Sequence, residues 1–164
     1  MKVMEALEAI EKRRSIRKYT GEPIPRKDLE KIVNAGRLAA TGSNKQPWDF
    51  IVITERKTIR KFMVASDYVE KAGAVIAVIM DPASKWWKED GSAAIENMLI
   101  ASTALGYGAV WLEGSMIKWE NEFKELLNVP ADRRLLTLIP VGLPAESPEV
   151  GKKTLKEVIH WEKY

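Results

Sequence analysis

The run AGAVIAVIM, residues 72 to 80, narrows the folds open to this chain more than any other stretch. It is too short for a typical helix and rich in β-branched residues, so it reads as a buried strand. DFIVIT (49–54), AVWLEG (109–114) and LLTLIPVG (135–142) read as three more strands. Between them lie helical patterns. VMEALEAIEKRR (3–14) puts Met4, Leu7 and Ile10 at helical spacing, and the segment after Pro25 does the same with Leu29, Ile32 and Val33. ERKTIRKFMVAS (55–66) and WENEFKELLN (119–128) read as shorter helices. SAAIENMLIASTALGYG (92–108) is apolar on most sides and ends near Gly106, as a central buried helix would. Helices alternating with short buried strands imply a mixed α/β sheet covered by helices.

At 164 residues, 46% hydrophobic and 30% charged, the chain fits one domain, residues 1–164, with its own core. The longest apolar runs reach about half of the ~20 residues a membrane span requires, and nothing like a secretion leader opens the sequence. A cytoplasmic protein that does not engage a membrane is expected. The tail, about residues 144–164, is different in kind. VGKKTLKEVIHWEKY carries Leu155, Val158, Ile159 and Trp161, which need to pack on a neighbouring surface, such as that of a second subunit.

Composition removes much of the chemistry that side chains can do alone. Without cysteine there is no disulfide, thiolate nucleophile or cysteine zinc site, and the single histidine, His160, cannot build a multi-histidine metal site. No metal site is expected. A hydrolytic triad would depend wholly on His160. Either the chain is not an enzyme, or a cofactor carries its reaction. No G-x-G-x-x-G follows a strand and there is no P-loop, so a nucleotide, if bound, is held some other way.

The densest charge lies in EKRRSIRKY, residues 11 to 19, where five basic side chains fall within seven positions. Arg13, Arg14 and Arg17, with the Ser15 hydroxyl, could surround a phosphate, since guanidinium forks match its oxygens. They could equally be a solvated helix end. The loop TGSNKQPW offers small residues for close approach, and Asn44 and Gln46 each pair a donor with an acceptor, which suits a heteroaromatic ring edge; an ordinary turn would look the same. Glu113 and Gly114 after a strand could expose a backbone N–H, or simply form a turn. Lys152 and Lys153, taken alone, read as surface. The overall charge of +3, from 26 Lys and Arg against 23 Asp and Glu, gives little support to bulk nucleic-acid binding. Six tryptophans suit a core or a subunit interface better than a ligand stack.

Taken together, RRSIRKY, SNKQPW, ENMLIASTALGYGAVWLEG and KKTLKEVIHWEKY, in this order and spacing, resemble the short members of the nitroreductase family over essentially the whole chain. The resemblance implies an α+β fold with a central, mainly antiparallel sheet flanked by helices and a C-terminal extension onto the partner subunit. It implies a homodimer with FMN at the interface and NAD(P)H as donor. The reaction would be ping-pong: hydride passes to the flavin, then to a small planar acceptor such as a nitroaromatic or quinone. No side chain need be catalytic. Arg13 would lie near the FMN phosphate and Arg17 near the pyrimidine edge, with Arg14 and Ser15 close by. Ala40, Thr41, Gly42, Asn44 and Gln46 would contact flavin, the 40–41 pair across the interface, where relatives carry proline and serine. Leu112, Glu113 and Gly114 would supply a backbone N–H, and Lys152 and Lys153 the tail's charge, with Lys152 where many relatives have arginine. Alternatives are other flavin chemistry on the same fold, such as dehalogenation, oxidation or flavin fragmentation, or a non-enzymatic basic nucleic-acid module.

Overall fold

The computed structural model describes residues 4 to 112, 114 and 116 to 164, among which are four strands and six α-helices, with short 3-10 turns between them. In chain order they are α1 (Ala6–Lys12), α2 (Arg26–Arg37), β1 (Trp48–Ile53), α3 (Arg56–Lys61), β2 (Ala74–Met80), α4 (Trp87–Ala104), β3 (Gly108–Ala109), α5 (Glu120–Leu126), β4 (Arg134–Gly142) and α6 (Leu155–Val158). The strands form one sheet in the order β1-β2-β4-β3, and every neighbouring pair is antiparallel.

β2 is the run that reads as a buried strand, and all seven of its residues are buried. Its pleat divides them between two cores. Ala74, Ile76, Val78 and Met80 join Leu29 and Ile32 of α2 and Ile95 and Met98 of α4. Val75, Ala77 and Ile79 join Ile59 of α3, Phe62, and Phe123 of α5, where the Phe62 and Phe123 rings meet edge to face at 4.9 Å. With helices on both faces, no position of β2 meets water and no polar residue alternates along it.

Three expectations shift. Of AVWLEG only Ala109, with Gly108 just before it, pairs as a strand, and Leu112 forms a single bridge to Leu138. The next partner along β4 is Pro140, which has no N–H to donate, and Val110 reaches its carbonyl at a long 3.4 Å. α4 begins at Trp87, five residues before the helical pattern in the sequence, with no side-chain cap at Trp86 to announce it. In α1 the buried residue is the small Ala9, while Leu7 is 76% and Ile10 51% exposed, so the apolar stripe faces away from the chain's own core. The end of α4 follows the expectation: Gly106 has φ 81°, and the N–H groups of Gly106 and Tyr107 close back onto the carbonyls of Thr103 and Ser102 at 3.0 and 2.8 Å.

The tail leaves the sheet at residue 143. Thr20 donates to the Leu143 carbonyl at 3.0 Å and Ala145 to that of Lys18 at 2.9 Å, so residues 18 to 20 and 143 to 145 run side by side. Beyond Gly151 every residue is exposed, including Leu155 at 72% and Trp161 at 81%. α6 is nonetheless formed, closed by a capping box between Thr154 and Glu157. Among the described residues, no helix is long and apolar enough to cross a membrane, and no group of three or more His, Asp or Glu could hold a metal.

Candidate functional site

The basic segment 13–17 is fixed by the far edge of the sheet. Ser15 bridges Ala109 in parallel register, and Ile16 donates to the Ala109 carbonyl at 3.0 Å. This approach requires Gly108, where an added Cβ would lie 2.6 Å from Ile16 Cβ. Tyr19 is buried, with its hydroxyl 2.6 Å from the Ile16 carbonyl and 3.1 Å from that of Pro140, and burial pushes its pKa up. Ile16 and Tyr19 thus face inward, while Arg17 and Lys18 between them face out. From the other end of the chain, Glu146 Oε1 accepts the backbone N–H of Arg17 at 2.6 Å and of Lys18 at 3.2 Å.

The three arginines are used differently. Arg13 Nε sits 3.0 Å from Glu96 of α4. Arg14 folds its Nη1 onto the carbonyls of Glu11 and Arg13, at 2.8 and 2.7 Å, and satisfies the end of α1. Arg17 makes no ion pair among the described residues; its guanidinium carbon lies 5.6 Å from the centre of the Tyr68 ring. Arg17, Lys18, Tyr68, Lys71 and Glu146 line one side of an open cleft of about 450 Å³.

The 40–46 loop lies on the opening turn of α4. Gly42 donates to Asp90 Oδ1 at 3.0 Å, and Gln46 N–H reaches the Thr41 hydroxyl at 3.2 Å. Ser43, Asn44 and Gln46 all adopt left-handed backbone, with φ of 52°, 55° and 49°. Ala40, Asn44 and Gln46 are exposed, so the loop offers its amide side chains to the outside. Leu112 is buried, its carbonyl taken by the Thr137 hydroxyl. Gly114 is an exposed turn residue, and Glu113 lies outside the described residues. Lys152 and Lys153 are exposed on the tail.

Within one chain these groups do not converge. Arg13–Arg17 rests on β3 and the middle of α4, the 40–46 loop on the start of α4, and the two are joined by no hydrogen bond or ion pair among the described residues. A groove of about 900 Å³ between α2 and the β1 edge is lined by Ile24, Leu29, Val33 and Val52 and contains none of them. Sequence reasoning did not single out Glu96, Asp90 or Glu146. An isolated carboxylate carries no local signal of the distant group it will hold.

The nitroreductase family model matches residues 10–77 and 63–143. A protein of Archaeoglobus fulgidus, named provisionally as a NADH dehydrogenase/NAD(P)H nitroreductase, is 36% identical over 173 residues, covering 98% of this chain and 99% of its own. A crystal structure from Bacteroides thetaiotaomicron under the same provisional name superposes with a TM-score of 0.89 at 29% identity, covering 97% of this chain and 98% of that one. The NADPH:FMN oxidoreductase of Vibrio harveyi, complexed with NAD+, gives a TM-score of 0.82 at 25% identity, covering 97% of this chain and 77% of that one. With the antiparallel sheet, the basic segment on its edge and the amide-bearing loop in the order the motifs require, the chain belongs to the nitroreductase family.

Proposed function

We propose that this chain is an FMN-dependent oxidoreductase that uses NAD(P)H to reduce a small planar acceptor such as a nitroaromatic or quinone, and that it works as a homodimer with cofactor sites shared between the chains. One observation carries the reading. Arg17 and the Asn44–Gln46 loop both face outward, yet lie on separate parts of one chain, so a second copy is needed to bring such halves together. The solvated apolar tail supports the same conclusion. So does the likeness to the Vibrio harveyi enzyme, whose name joins NADPH and FMN.

The residues fit FMN in kind. Arg17, free of any carboxylate partner among the described residues, suits an electron-rich ring edge. Arg13 meets Glu96 through Nε, and its guanidinium would contact a phosphate, with Ser15, Lys152 and Lys153 as further donors. Asn44 and Gln46 offer donor and acceptor together, as a ring carrying both N–H and C=O requires. When bound, FMN supplies the two-electron chemistry, taking hydride from NAD(P)H and yielding it to the acceptor in separate half-reactions. The chain's part is to bind and orient, and Arg17 adds a fixed positive charge that favours whichever redox state is more anionic.

Purified protein mixed with excess FMN tests this. A saturable isotherm with a shifted visible spectrum is expected, followed by bleaching with NADH or NADPH. A colourless protein with no isotherm, whose binding to nucleic acid falls steeply with salt, would replace this reading with the basic-module alternative.

A further inference from the structure

We infer that Asp90, on the first turn of α4, is the positioning residue that holds the 40–46 loop in its cofactor-facing shape; its consequence for FMN rests on the function proposed above. The loop is unusual in its backbone. Three of its residues without glycine's freedom, Ser43, Asn44 and Gln46, are left-handed. Its turn bonds, Asn44 N–H to the Thr41 carbonyl at 3.1 Å, Lys45 N–H to that of Gly42 at 3.2 Å and Gln46 N–H to the Thr41 hydroxyl, are all internal. A strained loop closed only on itself can move as a unit. Among the described residues, the hydrogen bond from Gly42 to Asp90 Oδ1, at 3.0 Å, is the one that ties residues 40 to 46 to the scaffold.

Asp90 is built for this. It is 5% exposed, and its own N–H is fixed on the Trp86 carbonyl at 2.8 Å. Its second oxygen, Oδ2, is buried without a hydrogen-bond partner among the described residues, so the carboxylate's one hydrogen bond outside its own helix's backbone is the one its Oδ1 accepts from the loop. Trp86, the residue before α4, closes the other side: a Cβ at Gly42 would come within 2.6 Å of its Cδ1. Gly42 therefore sits between a carboxylate that pulls its N–H inward and an indole that leaves no room for a side chain.

A different role for an acid in this position is to complement the helix dipole, since Asp90 lies in the first turn of α4. The two roles make opposite demands on asparagine. Asp90→Asn retains the accepting oxygen and discards the charge, so it preserves loop-holding and abolishes dipole stabilisation. Asp90→Ala abolishes both, and Asp90→Leu fills the space without accepting.

The test is amide hydrogen exchange of residues 41 to 46 in cofactor-free protein, with thermal melts and FMN titrations on the same variants. In Asp90→Ala, or in Asp90→Leu should the alanine variant not fold, exchange of the Gly42 amide rises and FMN affinity falls, each by about tenfold, the order expected for losing one hydrogen bond to a charged acceptor. Asp90→Asn stays within about threefold of wild type in both, given that it keeps the accepting oxygen. Loop exchange unchanged in Ala and Leu, or equally raised in Asn, overturns the inference. If wild type binds no FMN, the functional reading fails, while the exchange data still decide whether Asp90 holds the loop.

Discussion

Glu146 Oε1 accepts the backbone N–H of Arg17 at 2.6 Å, joining the start of the C-terminal tail to the segment that carries the outward-facing guanidinium. The same oxygen takes Lys18 N–H at 3.2 Å. Two donors on one carboxylate fix where Arg17 begins, although its side chain lies in solvent. Glu146→Ala should cost about 1 kcal/mol of stability, at the lower end for a charged hydrogen bond because the site is half in water. Urea denaturation measures this, and Glu146→Gln, which keeps an acceptor, should recover most of it.

Glu120 sets part of the acid limit. Arg134 donates to its carboxylate from Nε at 2.6 Å and from Nη2 at 2.8 Å, and Leu135 N–H adds a third contact at 3.2 Å. The hydrogen bonds from Arg134 hold the Glu120 pKa below its ordinary value. A depressed carboxylate stabilises the fold above its unfolded pKa, about 4.3, and the contribution is lost as pH falls through the folded value. Melting temperature should therefore drop below about pH 4.3 more steeply in wild type than in Glu120→Gln, whose acid limb lacks this contribution. Parallel acid limbs would remove Glu120 from the account.

Arg13 and Arg17 should separate in their effects on FMN. If Arg13 holds the phosphate as proposed, Arg13→Gln removes a contact whose strength does not change with redox state, so binding should weaken by about 1.5 to 3 kcal/mol and excess FMN should restore turnover. Arg17→Gln should weaken reduced FMN more than oxidised, and the reduction potential falls by ~30 mV for each tenfold difference. Excess FMN does not restore that. Equal potentials in wild type and Arg17→Gln would leave Arg17 as a simple contact.

Much of this architecture could be read from the chain. The β-branched run at 74–80 could only be a covered strand, and Gly106 marked the end of α4 because only a left-handed residue closes a helix that way. The face of α1 was not legible for a physical reason: Met4, Leu7 and Ile10 repeat at helical spacing, but spacing does not say which surface the stripe meets, and within this chain Leu7 and Ile10 stay largely exposed. For the candidate site, the chain offered a set of residues and no geometry. Arg14 looked equivalent to Arg13 and Arg17, yet its guanidinium closes α1, and the partners that distinguish the three come from Glu96, Tyr68 and the local backbone.

Deleting the chain from Lys152 onward should leave the sheet intact, since every residue beyond that point is exposed and α6 is held by its own capping box. Far-UV circular dichroism and the melting of the remaining domain should change little. Dimer affinity and FMN affinity should both fall at least tenfold, because in the proposed homodimer the exposed Leu155, Val158, Ile159 and Trp161 would bury their apolar area against the partner. A truncated protein that keeps both would show the tail to be dispensable.

The claim that two chains build each cofactor site is tested most directly by size-exclusion chromatography with light scattering and in-line flavin absorbance, on protein loaded with FMN and diluted through the micromolar range. The account predicts that flavin absorbance travels with the dimer and is absent from any monomer that dilution releases. Flavin bound stoichiometrically to a monomer would contradict it.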